Sequence, residues 1–182
     1  MSNLVKGSLS DMAKRNNTSL AESFLSCDYL ILVDTSGSMM SHDYAEQSRY
    51  DRACSELAIL QEKLQGKIAV FSFSYKSQFC PNGKPYFLDG GTALHTALAD
   101  VHMVDGLIEK LFIISDGKPD DANAALAQAA RFTTPIVTIF IGPSGSAGEA
   151  FLKRLATAGN TTLAGAKELA ATMQVLMLGA GK

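Results

Sequence analysis

The chain has 182 residues, with 47% hydrophobic, 19% charged and a formal net charge of −2. A chain of this size buries roughly 70% of its unfolded surface, so a single domain needs no disulfide or metal staple to hold its core. The balance excludes wholesale disorder, collagen-like repetition and a disulfide scaffold, and a pI near 5.9 gives no general basic field for nucleic acid or anionic lipid.

Residues 1–26 read as an N-terminal helical arm. Ser19 and Glu22 match a capping box, and Leu20, Phe24 and Leu25 follow at helical spacing. Residues 27–182 read as one domain. It opens with the continuous apolar run 29–33, and further such runs cover 68–71, 111–114 and 136–141; runs of this kind suit strands buried on both faces. Helical patterns lie between them over 52–64, 93–103, 121–132 and 149–158, the first carrying Ala53, Leu57, Leu60 and Leu64. The stretch 74–88, with Pro81-Asn82-Gly83 and Pro85, breaks the alternation and predicts a turn and an antiparallel edge strand near 78–80. A short edge strand over 161–164 and a closing helix over 167–178, with Leu169, Met173 and Leu176 on one stripe, complete the pattern. The expected fold is α/β: a doubly wound, mostly parallel sheet of about six strands with helices on both faces, Rossmann-like in plan.

Cys27, Cys54 and Cys80 form no CxxC pair and read as free thiols in a reducing compartment. The start lacks a basic segment followed by an apolar one, and no apolar run approaches the ~20 residues needed to span a bilayer. The expectation is a cytoplasmic protein without membrane or nucleic-acid partners.

Three polar clusters fall at element ends: Asp34-Thr35-Ser36-Gly37-Ser38 after the first strand, Gly90-Gly91-Thr92 before a helix, and Ser115-Asp116-Gly117 after a later strand. In an open parallel sheet such loops converge at the carboxyl edge, where ligands bind. Asp34, Ser36, Ser38, Thr92 and Asp116 offer only oxygen donors, two carboxylates and three hydroxyls. That set suits Mg²⁺ (or Mn²⁺, with Ca²⁺ as a further candidate) and argues against zinc or copper.

These clusters resemble the metal-ion-dependent adhesion site of von Willebrand factor type A domains, whose pattern is Asp-x-Ser-x-Ser, then a Thr, then an Asp. The resemblance covers about 27–178 and extends to the order of strands and helices. It implies that Ser36 and Ser38 ligate the metal through their hydroxyls. Thr92 would do so when a ligand is bound, and Asp34 and Asp116 would act mainly through waters. A partner protein's Glu or Asp would complete the coordination. Small stand-alone bacterial and phage-type members, including some associated with tellurite and stress resistance, look similar. The expected function is metal-dependent protein binding without catalysis; the oligomeric state is not legible.

One alternative is a Mg²⁺-dependent phosphohydrolase of the haloacid dehalogenase type, with Asp34 as nucleophile and Lys118 as the later lysine. Ser36 stands where that chemistry needs a second acid. Another is a structural subunit with a vestigial site. Elsewhere, His42 and Asp43 read as a solvated loop and His95 and His102 as an ordinary helix pair. Asp120 or Asp121 reads as a helix cap, with Lys118 tuning partner choice. The loop 142–148 lacks the spacing of a phosphate cradle. Met39 and Met40 read as an apolar rim.

Overall fold

The computed structural model describes residues 4–43 and 46–163, together with 171, 175 and 177. Six strands form one sheet: β1 (Tyr29–Asp34), β2 (Ile68–Phe73), β3 (Ser77–Phe79), β4 (Lys110–Ser115), β5 (Ile136–Ile141) and β6 (Gly159–Leu163). Their order is β3-β2-β1-β4-β5-β6. All pairings are parallel except that of β2 with the short edge strand β3. The antiparallel strand lies where the Pro- and Gly-rich stretch predicts it, because a tight turn after Phe73 returns the chain along its neighbour.

Each of the four continuous apolar runs lies in a strand whose alternate residues face opposite layers. Ile31, Val33, Phe112, Ile114 and Ile139 face the layer of helix α3 (Arg49–Lys63). Leu30, Leu32, Leu111, Ile113 and Phe140 face the layer of α4 (Leu94–Val101), α5 (Ala122–Ala129) and α6 (Ala147–Leu155). Both faces are thus covered, as a doubly wound Rossmann-like α/β sheet requires. Helix α3 starts three residues before its apolar periodicity, because the Ser48 hydroxyl caps it by accepting from the Asp51 N–H.

Two helices, α1 (Leu9–Asn16) and α2 (Leu20–Leu25), occupy the N-terminal arm, and the Ser19–Glu22 capping box is formed in full. Leu9 is buried, and backbone bonds from Val5 to Asn82 and from Ser10 to Pro81 tie the arm to the turn that follows β3. Gly7 approaches α3 so closely that a Cβ would stand 2.1 Å from the Gln61 carbonyl oxygen. Of the closing helix expected over 167–178, Leu169, Met173 and Leu176 lie outside the described residues. Met177 is buried, and its carbonyl accepts from the Tyr29 hydroxyl at 3.1 Å.

The chain runs outward from β1 on one side and from β4 on the other, so strand order reverses between them. The loops that leave β1 and β4 therefore part above the sheet and leave a crevice, the usual ligand position of such folds.

Candidate metal centre

Three loops meet at this crevice, and each is tied to the other two. The loop after β1 joins the loop before α4 through the Gly37 N–H donating to the Gly90 carbonyl at 3.1 Å and the Asp89 N–H donating to the Thr35 carbonyl at 3.0 Å. The loop before α4 joins the loop after β4 through Asp120. Its carboxylate accepts the Thr92 N–H at 3.0 Å and its own N–H donates to the Thr92 carbonyl at 3.0 Å. The first and third loops join directly, through Ser38 to Asp116 at 2.9 Å and Ser115 to Asp34 at 2.6 Å. Asp34, Ser36, Ser38 and Asp116 thus share one hydrogen-bonded cluster, and Thr92 is brought to the same edge by its backbone.

The proton positions follow from the chemistry. An ionised carboxylate only accepts, so the Ser38 hydroxyl gives its proton to Asp116 Oδ1. Ser36, whose oxygen lies 3.2 Å from that of Ser38, must then be the donor of their pair. Each hydroxyl has its proton committed within the cluster and keeps lone pairs for another use. The donor set is wholly oxygen and mostly neutral, and it fits a hard cation such as Mg²⁺. Among the described residues no group of three or more His, Cys, Asp and Glu side chains is placed to hold a metal ion, so a cation here would depend on the hydroxyls. The His102 ring packs edge-on to Phe132.

Asp34 is fully buried. Burial lifts its carboxyl to about 6, aided by the charge on Asp116, while hydrogen bonds from Ser115 and Ser36 oppose the rise. Ser115 belongs to the quoted motif, yet its use as a donor to Asp34 is visible only in the fold. Its oxygen also accepts the Gly117 N–H at 3.2 Å, which fixes the turn that carries Asp116.

Arg49, the first residue of α3, is a residue of this cluster that motif reading misses. Its guanidinium donates to Asp116 Oδ2, and grips Asp43 bidentately through Nε at 2.6 Å and Nη2 at 2.5 Å. Asp43 is therefore one half of a largely buried ion pair rather than part of a solvated loop, while His42 stays exposed. Hydrogen bonding from Arg49 holds the Asp43 carboxyl below its ordinary range. The available signal was an arginine at a helix N-terminus, where the macrodipole disfavours a cation unless anions stand nearby.

The surroundings are mixed. Tyr75, 63% exposed, lies against the loop before α4, and Met40 is 45% exposed, whereas Met39 is fully buried in the core rather than on a rim. Gly90 has φ +88°, and a Cβ there would stand 1.9 Å from the Tyr75 ring. A cleft of about 460 Å³ opens beside the third loop, lined by Lys118, Asp120, Asn123, Phe151 and Arg154 among others. Asp121, not Asp120, caps α5, accepting from the Ala124 N–H. In the 142–148 loop the Glu149 carboxylate accepts the Gly145 N–H at 2.6 Å, so the chain's own anion uses that amide. Burial raises the Cys27 thiol to about 12 and the Cys54 thiol to about 11, which makes neither a nucleophile at neutral pH.

No family model and no curated protein matches the chain. Among solved structures it is similar to an aerotolerance-related membrane protein from Bacteroides fragilis, at 14% identity and a TM-score of 0.62, over 84% of this chain and 98% of that one. It is also similar to proximal thread matrix protein 1 from the mussel byssus, at 16% identity and a TM-score of 0.60, over 84% of this chain and 45% of that one. A third is the RO protein of Deinococcus radiodurans, at 14% identity and a TM-score of 0.51, over 84% of this chain and 34% of that one. At such identities the likeness establishes a shared Rossmann-like α/β fold and nothing about chemistry, which rests on the site itself.

Proposed function

We propose that the chain is a von Willebrand factor type A domain serving as a divalent-metal-dependent protein-binding module. The supporting observation is the closed triangle of loops that gathers Asp34, Ser36, Ser38 and Asp116 into one oxygen cluster with Thr92 at its edge. These five residues would hold Mg²⁺, with Mn²⁺ or Ca²⁺ as substitutes. A cation held mostly by neutral oxygens offers an electrophilic centre that a partner's Glu or Asp can complete. The chain's residues supply the rest: Ser115 and the Ser36 N–H keep Asp34 oriented, and Asp120 fixes the Thr92 backbone. Tyr75 and Met40 give an apolar border against which a partner surface can desolvate.

On this reading the site binds and does not turn over. Ser36 stands where a phosphohydrolase would need its acid/base carboxylate, and a hydroxyl cannot replace it at neutral pH. No helix among the described residues is long and apolar enough to cross a membrane. We place the module in the cytoplasm, in complexes of the stress-resistance or phage-related kind.

A second reading draws on Arg49, whose ion pair with Asp116 neutralises part of the cluster without any metal. The site would then be a structural network. Titration with Mg²⁺ and Mn²⁺ separates the two. A metal at 100 times its Kd stabilises a fold that alone binds it by about 2.7 kcal/mol. A thermal shift that Asp34→Ala and Ser38→Ala abolish supports the metal reading; no shift in the wild type refutes it. Partner binding is tested by pull-down in Mg²⁺ against EDTA, with Thr92→Ala as control.

A further inference from the structure

We infer that Arg49 is a tethered counter-cation that competes with the metal for Asp116 and thereby sets the affinity of the site. The inference rests on the metal-binding reading above and adds a residue that the adhesion-site pattern does not contain. Its basis is the division of the Asp116 carboxylate. One oxygen accepts from Ser38 at 2.9 Å and the other accepts from the Arg49 guanidinium. The Asp116 side chain is 1% exposed and that of Arg49 12%, so water screens their attraction poorly. A divalent ion drawn to this cluster meets a positive charge already in place on one of its acids.

The geometry also gives Arg49 somewhere to go. Asp43 uses both of its oxygens on Arg49, through Nε and Nη2, while Asp116 receives the remaining nitrogen, Nη1. Breaking the single contact to Asp116 therefore leaves a complete bidentate pair behind, the strongest form of this interaction. Asp43 is the resting place of the latch and Asp116 its catch. Arg49 is the first residue of α3, and its backbone N–H donates to the Ser41 carbonyl at 3.0 Å, so release from Asp116 unties its side chain from the loop after β4 while α3 stays anchored to the loop after β1. By linkage, whatever favours the Asp116–Arg49 contact disfavours metal, and metal disfavours the contact to the same extent.

The position of Arg49 argues against a merely incidental pair. The first turn of a helix favours anions, and Asp51 and the Ser48 cap already serve that need in α3. A cation there is tolerated because Asp43 and Asp116 surround it. Asp34, Asp43 and Asp116 outnumber the one guanidinium in the cluster, so negative charge remains for a cation once Arg49 has moved aside.

The test is Mn²⁺ titration followed by calorimetry and by the electron paramagnetic resonance of free Mn²⁺. The proteins are the full chain as wild type, Arg49→Gln, Arg49→Lys, Asp43→Asn and the Arg49→Gln/Asp43→Asn double variant. The inference predicts that Arg49→Gln binds Mn²⁺ about tenfold more tightly or better. Its metal-free form should melt at a lower temperature, because Asp116 is left without its partner. Arg49→Lys keeps the charge and should stay near wild type. Asp43→Asn, which withdraws the resting place, should bind more weakly, and that effect should shrink in the double variant, where no arginine remains to be redirected. Should Arg49→Gln not fold without metal, Arg49→Lys, Asp43→Asn and a refolding titration of Arg49→Gln in Mn²⁺ carry the comparison. Equal affinity in wild type and Arg49→Gln overturns the latch and leaves the metal site standing. Binding by Arg49→Gln with none by wild type overturns the metal reading of the native site, and the latch with it. No binding by any variant overturns the metal reading itself.

Discussion

Replacing Asp34 with asparagine should stabilise the metal-free protein at neutral pH while abolishing its response to metal. The side chains have the same shape, so no cavity forms. The carbonyl oxygen of the substituted side chain would still accept the Ser36 N–H. Ser115, which already accepts from Gly117 at 3.2 Å, would have to turn and accept from the new NH₂ group as well. That rearrangement costs about 1 kcal/mol. Against it stands the charge. The Asp34 carboxyl is raised from 3.8 to about 6. Below about pH 4 both folded and unfolded chains hold the proton and the residue contributes nothing. Between about 4 and 6 the unfolded chain releases a proton that the folded chain keeps, so wild-type stability falls as pH rises, and above 6 the loss is complete. A rise of that size corresponds to about 3 kcal/mol. In EDTA, urea denaturation at pH 7.5 should therefore show Asp34→Asn about 2 kcal/mol more stable than wild type, with the order reversed near pH 4. Saturating Mg²⁺ should raise the wild type alone. A variant that is less stable than wild type by one constant amount from pH 4 to pH 8 would refute the claim that burial penalises this charge.

The same proton predicts the pH dependence of binding: the Mn²⁺ affinity, measured by calorimetry, should fall about tenfold for each unit below pH 6 and level off above pH 7. Ser115→Ala removes the 2.6 Å donor to Asp34 and should cost about 1.5–3 kcal/mol at pH 7.5, with a smaller loss at pH 4 where Asp34 is protonated, as read by urea denaturation at the two pH values. Gly148→Ala would place a Cβ 2.9 Å from the Gly117 Cα, so the turn bearing Asp116 must shift; weaker Mn²⁺ binding and a loss of about 1–3 kcal/mol are expected. Gly145→Ala is its control: with φ +82° and no neighbour within 4 Å of the new Cβ, it should show backbone strain of about 1 kcal/mol by the same denaturation assay and unchanged Mn²⁺ affinity.

The sheet is legible in the sequence because parallel strands covered on both faces must be apolar throughout, and 29–33, 68–71, 111–114 and 136–141 are. Helix ends are less so: α3 begins at Arg49 because of the Ser48 cap, and the last edge strand begins at Gly159 rather than at residue 161. The candidate ligands stand out since each adjoins the end of an element. The groups that hold them do not. Ser115 reaches Asp34 across 81 positions, Arg49 reaches Asp116 across 67, and Asp120 reaches Thr92 across 28. No local spacing encodes such pairs, which exist only once the β1–β4 pairing has set the register Tyr29↔Lys110.

That central pairing also orders events during synthesis. Asp34 leaves the ribosome long before Asp116, and the segment between them contains β2, β3 and α4. A nascent chain that has laid down only the first three strands owns three of the five candidate oxygen donors and none of the cross-ties from Ser115, Asp116 or Asp120. Cation capture would thus mark the moment when the fourth strand docks beside the first, a chemical signal that the two halves of the sheet have met in register.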